Sequence, residues 1–216
     1  AYEIMPSLVG SEMGIRDRFY TNITHELRTP LTLILGPLED MQKETSLPVK
    51  QAQKLSVIHQ SALRLLNLIN QILEFRKTET QNKKLCVSKG NIAPLIYEIG
   101  LKYKELNQKT KIDFQIQIEK EEMLLFFDKE IITIVLDNLI SNAIKYTEQG
   151  RVTLSLYQTM RNEVAYTEIK VSDTGYGISA EALPHIFDRY YQESGKHQAS
   201  GTGIGLALVK NLVTLH

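Results

Sequence analysis

The sequence predicts an α+β protein in two parts: a long helical hairpin, then a mixed layer of helices and strands. Three observations carry this expectation. Residues 15 to about 80 keep a helical period almost without interruption, and the texture changes near residue 84. Beyond it, Ile112 to Ile118 alternates with period two between helical runs. Helices and strands segregated in this way, rather than repeated βαβ units, point to an α+β layer. With 216 residues there is room for two domains, each able to bury its own core.

Ala1 to Gly14 reads as a linker, a helix continuation or an expression remnant, and lacks the charged-then-apolar order of a signal peptide. The first helix carries Phe19, Ile23, Leu27, Leu31, Ile34, Leu38 and Met41 on one face and runs to about Glu44. Pro30 falls inside it. Its ring crowds the carbonyl of Glu26, so a bend is expected just past His25, at about 3 kcal/mol in an ordinary helix interior. The stretch Glu44 to Pro48 interrupts the pattern, and Pro48 suits the start of the next helix. There Leu55, Ile58, Ala62, Leu65, Ile69 and Ile72 lie alternately three and four residues apart, a coiled-coil-like seam. Leu66, Leu68 and Leu73 widen that stripe beyond what one partner helix covers. The expectation is a four-helix bundle built from two hairpins across a homodimer.

The polar stretch Gln81 to Lys84 is the natural boundary, which divides the chain into 1–14, 15–82 and 83–216. Beyond it, Lys84 to Ser88 reads as a strand, Ile92 to Leu106 as a helix, and Ile112 to Ile118 and Leu124 to Phe127 as strands. Lys129 to Tyr146 is strongly helical. Val152 to Gln158 and Val164 to Ser172 form an antiparallel pair around Arg161-Asn162, and a last helix starts at Gly203 or Ile204.

Composition removes several classes of function. The formal charge is zero, from 25 basic and 25 acidic residues, which leaves no electrostatic footprint for nucleic acid or an anionic membrane surface. Cys86 is the only cysteine, so an internal disulfide and zinc sites of several thiolates are excluded, and it reads as a small strand residue in a reducing compartment. No apolar stretch approaches the roughly 20 residues that span a bilayer, so a soluble chain is expected.

Five segments carry chemistry. In the first helix, His25-Glu26-Leu27-Arg28-Thr29-Pro30 sets an imidazole beside a carboxylate, on the side away from the apolar stripe. Such an imidazole serves as nucleophile, proton shuttle or metal ligand, although no second histidine or cysteine falls at helical spacing from it. In the run Asp137 to Tyr146, Asn138, Asn142 and Lys145 share one helical face. Two amides and an ammonium can hold a hydrated divalent cation and phosphate oxygens, or simply face water. Asp173-Thr174-Gly175-Tyr176-Gly177-Ile178 follows a strand, where Asp173 could accept from the amino group of a base or belong to a plain turn. In Ile186-Phe187-Asp188-Arg189-Tyr190-Tyr191, Arg189 could reach a terminal phosphate or be an ordinary surface residue. Gly201-Thr202-Gly203-Ile204-Gly205-Leu206 opens the last helix, and glycines at a helix N-terminus expose donors to an anion. It lacks the spacing of a dinucleotide fold. The polar run Glu193 to Ser200 between the last two segments reads as a mobile loop able to cover a ligand.

In this order, the five segments resemble the boxes of the sensor histidine kinases of two-component signalling, over roughly residues 15 to 216. The His25 run is similar to the phosphoacceptor box, and Asn138 to Tyr146 to the asparagine box. Asp173 to Gly177, Ile186 to Tyr191 and Gly201 to Leu206 resemble the first glycine, phenylalanine and second glycine boxes. Thr24 to Leu38 resembles in particular the hybrid two-component receptors of gut Bacteroides-type bacteria. The resemblance implies a dimerisation and phosphotransfer hairpin, then an α/β sandwich ATP-binding domain of the gyrase, heat-shock chaperone, kinase and MutL type (the Bergerat fold). It implies ATP and Mg²⁺ as cofactors. His25 would attack the γ-phosphate, Glu26 would take or polarise the imidazole proton, and Thr29 would position water for dephosphorylating a partner. Asn142 would ligate Mg²⁺ with Asn138 beside it, and Lys145 and Arg189 would contact phosphates. Asp173 would bind the adenine amino group, Gly201, Gly203 and Gly205 would form the hinge of the phosphate-covering lid, and Tyr146, Gly175, Gly177, Thr202 and Leu206 would also belong to the cofactor site.

The implied partners are a second copy through the hairpin and a response regulator receiver domain, separate or fused, with no direct nucleic acid. The implied location is the cytoplasmic portion of an inner-membrane bacterial receptor, with membrane contact only through segments upstream. The family's ATP domain continues past the last helix into a closing strand pair, so the domain is expected to be cut short at His216. Two other readings compete with an autophosphorylating kinase: a non-catalytic dimeric scaffold that binds nucleotide weakly, and an ATPase-driven clamp of the same superfamily. The clamp leaves the histidine hairpin without a role.

Overall fold

The structure, a computed structural model, describes residues 27–41, 48–79, 83–107, 111–192 and 203–216. The chain divides into two units that meet in sequence at Lys83 and Lys84. In the first, residues 27–41 are helical (α1) and pack on the helix Val49–Glu79 (α2). Pro48 opens α2 as expected, its carbonyl accepting from the N–H groups of Gln51 and Ala52 at 2.8 and 3.0 Å. The helix α1 runs through Pro30 without a break. The carbonyl crowded by Pro30 belongs to Glu26, so the bend expected there, like the helix end near Glu44, lies outside the described residues.

The hairpin core consists of Leu31 and Leu35 from α1 with Ala62 and Ile69 from α2, and Leu38, Leu63 and Leu66 pack against it. The seam read from the sequence therefore splits. Leu55, Ala62 and Ile69, seven residues apart, are buried, whereas Ile58, Leu65 and Ile72, also seven apart, are 52%, 50% and 38% exposed. The same division occurs on α1, where Leu27, Ile34 and Met41 are exposed at heptad spacing. One helix can cover only one edge of so wide a stripe.

The second unit begins with the strand Ser88–Asn91 (β1), the helix Ile92–Leu106 (α3), and the strands Ile112–Ile118 (β2) and Leu124–Phe127 (β3). After these come the helix Lys129–Tyr146 (α4), the strands Gly150–Arg161 (β4) and Val164–Asp173 (β5), and the helix Gly205–Leu215 (α5). The expected strand at Lys84–Ser88 is displaced: the ladder with β3 starts at Ser88 opposite Phe127. The Cys86 N–H donates instead to the Asp128 carboxylate at 2.7 Å, which takes that backbone out of any ladder. The turn of the β4–β5 hairpin falls on Asn162 and Glu163, one position later than expected, because both carry the positive φ (50° and 64°) that a two-residue turn of this hand requires.

The sheet orders β2-β4-β5, with β2 parallel to β4 and β5 antiparallel to it, while β1 and β3 pair separately. Alternation along β4 points Val152, Leu154 and Leu156 into a core shared with Ile96 and Ile99 of α3 and Leu136, Ile140 and Ala143 of α4. The helix α3 lies so close to β2 that a Cβ on Gly100 would stand 2.8 Å from the Ile116 side chain. Two helix caps fix the layer. Asn91 Oδ1 accepts from Ala93 and Met123 N–H, and Asp128 Oδ1 accepts from Ile131 N–H at 3.1 Å. The Asp128 N–H in turn donates to His216 Nε2 at 3.0 Å, which ties the end of α5 to the start of α4.

Candidate functional site

On the hairpin, His25 and Glu26 lie outside the described residues. Thr29 is exposed on α1, and its neighbour Arg28 donates through Nη2 to Asn70 Oδ1 of α2 at 2.6 Å. Arg28, within the His25 run, thereby ties the start of the described part of α1 to α2.

In the second unit, the polar face of α4 is graded in depth. Asn138 is only 6% exposed, and its amide donates to the Ile134 carbonyl one turn back at 2.8 Å. The start of α5 covers it: a Cβ on Gly205 would stand 2.8 Å from Asn138 Oδ1. The first residue of α5 thus meets the middle of α4, and glycine allows the approach. Asn142 and Lys145 are half-buried, and Tyr146 at the helix end is exposed. The Lys145 ammonium lies 4.4 Å from the Tyr146 ring centroid and donates to its hydroxyl at 2.9 Å, which holds the cation at the end of α4. On the opposite side of α4, the Tyr103 hydroxyl of α3 donates to the Asp137 carbonyl at 3.2 Å, and Lys102 pairs with the Asp137 carboxylate. Burial first, and then the Asp137 charge, push the Tyr103 hydroxyl far above its ordinary pKa, so it remains a donor.

Asp173 ends β5 and turns toward the end of α4. Its Oδ1 accepts from Gly175 N–H at 2.9 Å, which fixes the carboxylate within its own loop. Gly175 presses against the last turn of α4, where a Cβ would stand 2.4 Å from the Tyr146 carbonyl. The same carbonyl accepts from Tyr176 N–H at 3.3 Å. Thr174 clamps the other side of the loop: Arg151 N–H donates to its hydroxyl at 2.9 Å and Thr174 N–H donates to the Arg151 carbonyl at 3.1 Å. Gly177 follows with φ 73° and open space beside it. Asp173 and Gly175 are therefore brought to Tyr146 at the end of α4, although the two segments are distant in sequence.

A short 3₁₀ turn, Leu183–His185, leads into the segment with Arg189, which is exposed. Tyr190 and Gly203 meet: Tyr190 N–H donates to the Gly203 carbonyl at 2.9 Å, and both residues have positive φ (61° and 68°). A Cβ on Gly203 would stand 2.6 Å from the Tyr190 backbone, so only glycine fits. Leu206 is half-buried in the first turn of α5. Gly201, Thr202 and the loop expected at Glu193 to Ser200 lie outside the described residues. Sequence reading missed Asn70, Thr174, Tyr176 and Glu148 as supports of these segments, since each acts on a residue far away in the chain and none carries a spacing signal.

A helical hairpin joined to an α/β unit, with a glycine loop set against a capped helix that bears two amides and an ammonium, defines a phosphotransfer protein with a nucleotide-binding half. Comparison with known proteins agrees. Residues 15–81 match the family model of the His Kinase A (phospho-acceptor) domain, and residues 127–216 that of the histidine kinase-, DNA gyrase B- and HSP90-like ATPase. Histidine kinase P4 of Formosa agariphila is 37% identical over 92% of this chain and 15% of its own length. Hybrid signal transduction histidine kinase D of Dictyostelium discoideum is 33% identical over 94% of this chain and 13% of its own length. Full-length ShkA, crystallised in complex with AMPPNP, superposes with a TM-score of 0.70 at 25% identity, over 92% of this chain and 41% of that one. The chain belongs to the sensor histidine kinases of two-component signalling, and residues 127–216 of its second unit match their ATP-binding domain. It spans only a small part of the length of these relatives. Among the described residues, no helix is long and apolar enough to cross a membrane.

Proposed function

We propose that this chain is the catalytic portion of a protein-histidine kinase that phosphorylates itself on His25 from ATP and passes the phosphoryl group to an aspartate of a receiver domain. One observation carries the reading: the Asp173 loop is packed on the end of the same helix that bears Asn142 and Lys145, in a chain whose residues 15–81 match the phospho-acceptor family model. In the transfer, a neutral imidazole nitrogen of His25 forms a bond to the γ-phosphorus as the bond to the β,γ-bridging oxygen breaks, releasing ADP. Glu26 accepts the proton from the other ring nitrogen, which a carboxylate neighbour favours. Such a transfer depends on positioning and charge more than on covalent help from the protein.

Asp173, fixed through Gly175, is the group we assign to the adenine amino group, with Tyr146 and Gly177 beside it. Lys145 and Arg189 are assigned to phosphates, and Gly201, Thr202, Gly203, Gly205 and Leu206 to the hinge of the segment over them. Among the described residues, no cluster of three or more His, Cys, Asp or Glu gathers as a resident metal site. A divalent cation on α4 would rest on Asn142, with Asn138 behind it, together with water and phosphate oxygens, a set that suits Mg²⁺. When bound, Mg²⁺ would neutralise charge on the phosphates. Thr29, exposed on α1, is assigned to positioning water for hydrolytic dephosphorylation of the partner receiver domain. We place the domains at 15–82 and 83–216 and the chain on the cytoplasmic side of a receptor.

The exposed heptads of both hairpin helices support a homodimer: Leu27, Ile34 and Met41 with Ile58, Leu65 and Ile72 form the apolar face that a second hairpin would cover. The decisive experiment is incubation with γ-labelled ATP and Mg²⁺. Acid-labile, alkali-stable label is expected on the wild-type chain and none on His25→Ala; label that persists in that variant overturns the assignment.

A further inference from the structure

Two side chains without an assigned part in nucleotide binding meet across the loop that carries Asp173. The Tyr176 hydroxyl donates to Glu148 Oε2 at 2.8 Å. Tyr176 stands between Gly175 and Gly177, and Glu148 lies in the turn between α4 and β4. The pair therefore straps the loop to the turn that follows Lys145 and Tyr146. The loop is also held by Asp173 Oδ1 on Gly175 N–H, by Thr174 on Arg151, and by a longer bond from Tyr176 N–H to the Tyr146 carbonyl, at 3.3 Å. Beyond Tyr176 the chain reaches Gly177, which has a positive φ and open space where a Cβ would stand.

The position of Gly175 governs the Asp173 carboxylate, because Gly175 N–H holds its Oδ1. Whatever fixes Gly175 against the Tyr146 carbonyl also aims that carboxylate. Tyr176 is the next residue, and its side chain links the loop to the α4–β4 turn through Glu148.

We propose that Tyr176, held by Glu148, is a positioning residue for Asp173 and sets the affinity of this unit for the adenine end of ATP without taking part in phosphoryl transfer. The proposal rests on the nucleotide role assigned to Asp173 above. The hydrogen bond to Glu148 raises the pKa of the Tyr176 hydroxyl, so the donor keeps its proton at neutral pH. Both groups face water, so the strap adds little to global stability, and its effect falls on loop geometry.

The test uses the full chain, with calorimetric Kd for a non-hydrolysable ATP analogue and KM and kcat for autophosphorylation. Tyr176→Phe is expected to raise Kd and KM about threefold to fivefold, the range of one exposed hydrogen bond to a charged group. Its kcat at saturating ATP and its Tm stay at wild-type values. Glu148→Ala reproduces the effect, Glu148→Gln restores most of the affinity by keeping an acceptor, and the double variant is no weaker than either single one. Unchanged Kd in both Tyr176→Phe and Glu148→Ala, or a fall in kcat at saturating ATP, overturns the positioning role. If the wild type binds the analogue while the variants do not differ from it, the nucleotide reading stands and this inference alone fails. A wild-type chain that does not bind the analogue overturns both.

Discussion

The second unit has a wholly buried apolar core and the hairpin, among the described residues, does not. Ile96, Ile140, Val152 and Leu154 are wholly buried between one sheet face and two helices, while the hairpin core residues Leu31, Leu35 and Ile69 each keep 6% exposure. More telling is the second heptad row, Ile58, Leu65 and Ile72, left open along α2. A sheet closes a core with the helices laid over it. Two helices share only one line of contact, and an apolar stripe wider than that line needs further helices. The difference predicts that the second unit is stable alone and that the hairpin is stabilised by association.

The largest expected effect strikes that dependence. Ile58→Glu together with Leu65→Glu would bury unpaired charge in a four-helix core, costing about 3–5 kcal/mol on the scale of broken buried pairs. Sedimentation should show monomers where the wild type is dimeric, and the wild-type Tm should rise with protein concentration. If the row is merely surface, the two changes stay within roughly ±0.5 kcal/mol each and the mass does not change. The matching change in the other unit, Leu154→Ala, is expected to cost about 2–5 kcal/mol through lost burial and a cavity. That loss, read by chemical denaturation, should be independent of protein concentration; a concentration dependence would remove the contrast between the units.

Much of the second unit was legible because its signals are local. The helices α3 and α4 and the strands β2 and β3 fall on the residues that periodicity indicates, with Asn91 and Asp128 as caps directly before the helices. The displaced first strand was not legible, since it follows from an Asp128 carboxylate far along the chain capturing Cys86 N–H. In the hairpin, spacing alone gives a single seam, and only packing shows which alternate residues face the partner helix. On α4 the shared face of Asn138, Asn142 and Lys145 is plain from their intervals. The burial of Asn138 follows from where α5 begins, at a glycine small enough to sit against the amide.

A third prediction tests the packed loop within the second unit. Gly175→Ala would place a methyl group 2.4 Å from the Tyr146 carbonyl, so the loop or the end of α4 must shift. The overpacking cost is about 1–3 kcal/mol. Because the shift moves Asp173, the analogue Kd should rise about tenfold, in keeping with the lower half of that range. Wild-type affinity with a lowered Tm would separate the loop's packing from nucleotide binding and count against the role given to Asp173.

The smallest expected effect returns to the hairpin, at the end of α2, where one charge cluster is complete within a single chain. Glu74 accepts from Lys77 at 2.7 Å and from Lys83 at 3.0 Å, folding the chain after α2 back along it. Burial opposes ionisation of the carboxyl, yet the hydrogen bonds and charges of the two lysines outweigh it and hold the pKa below the ordinary 4.5. A depressed carboxylate pKa contributes stability that is present above the unfolded value and lost as pH falls through the folded one. Acid denaturation should therefore weaken this helix end below about pH 4.5, and Glu74→Gln should flatten that limb while leaving the dimer mass unchanged. The seam and the cluster are then separable on one helix: dissociation follows substitution at Ile58 and Leu65, and acid sensitivity follows Glu74. An acid limb that survives in Glu74→Gln would assign the sensitivity to carboxylates elsewhere.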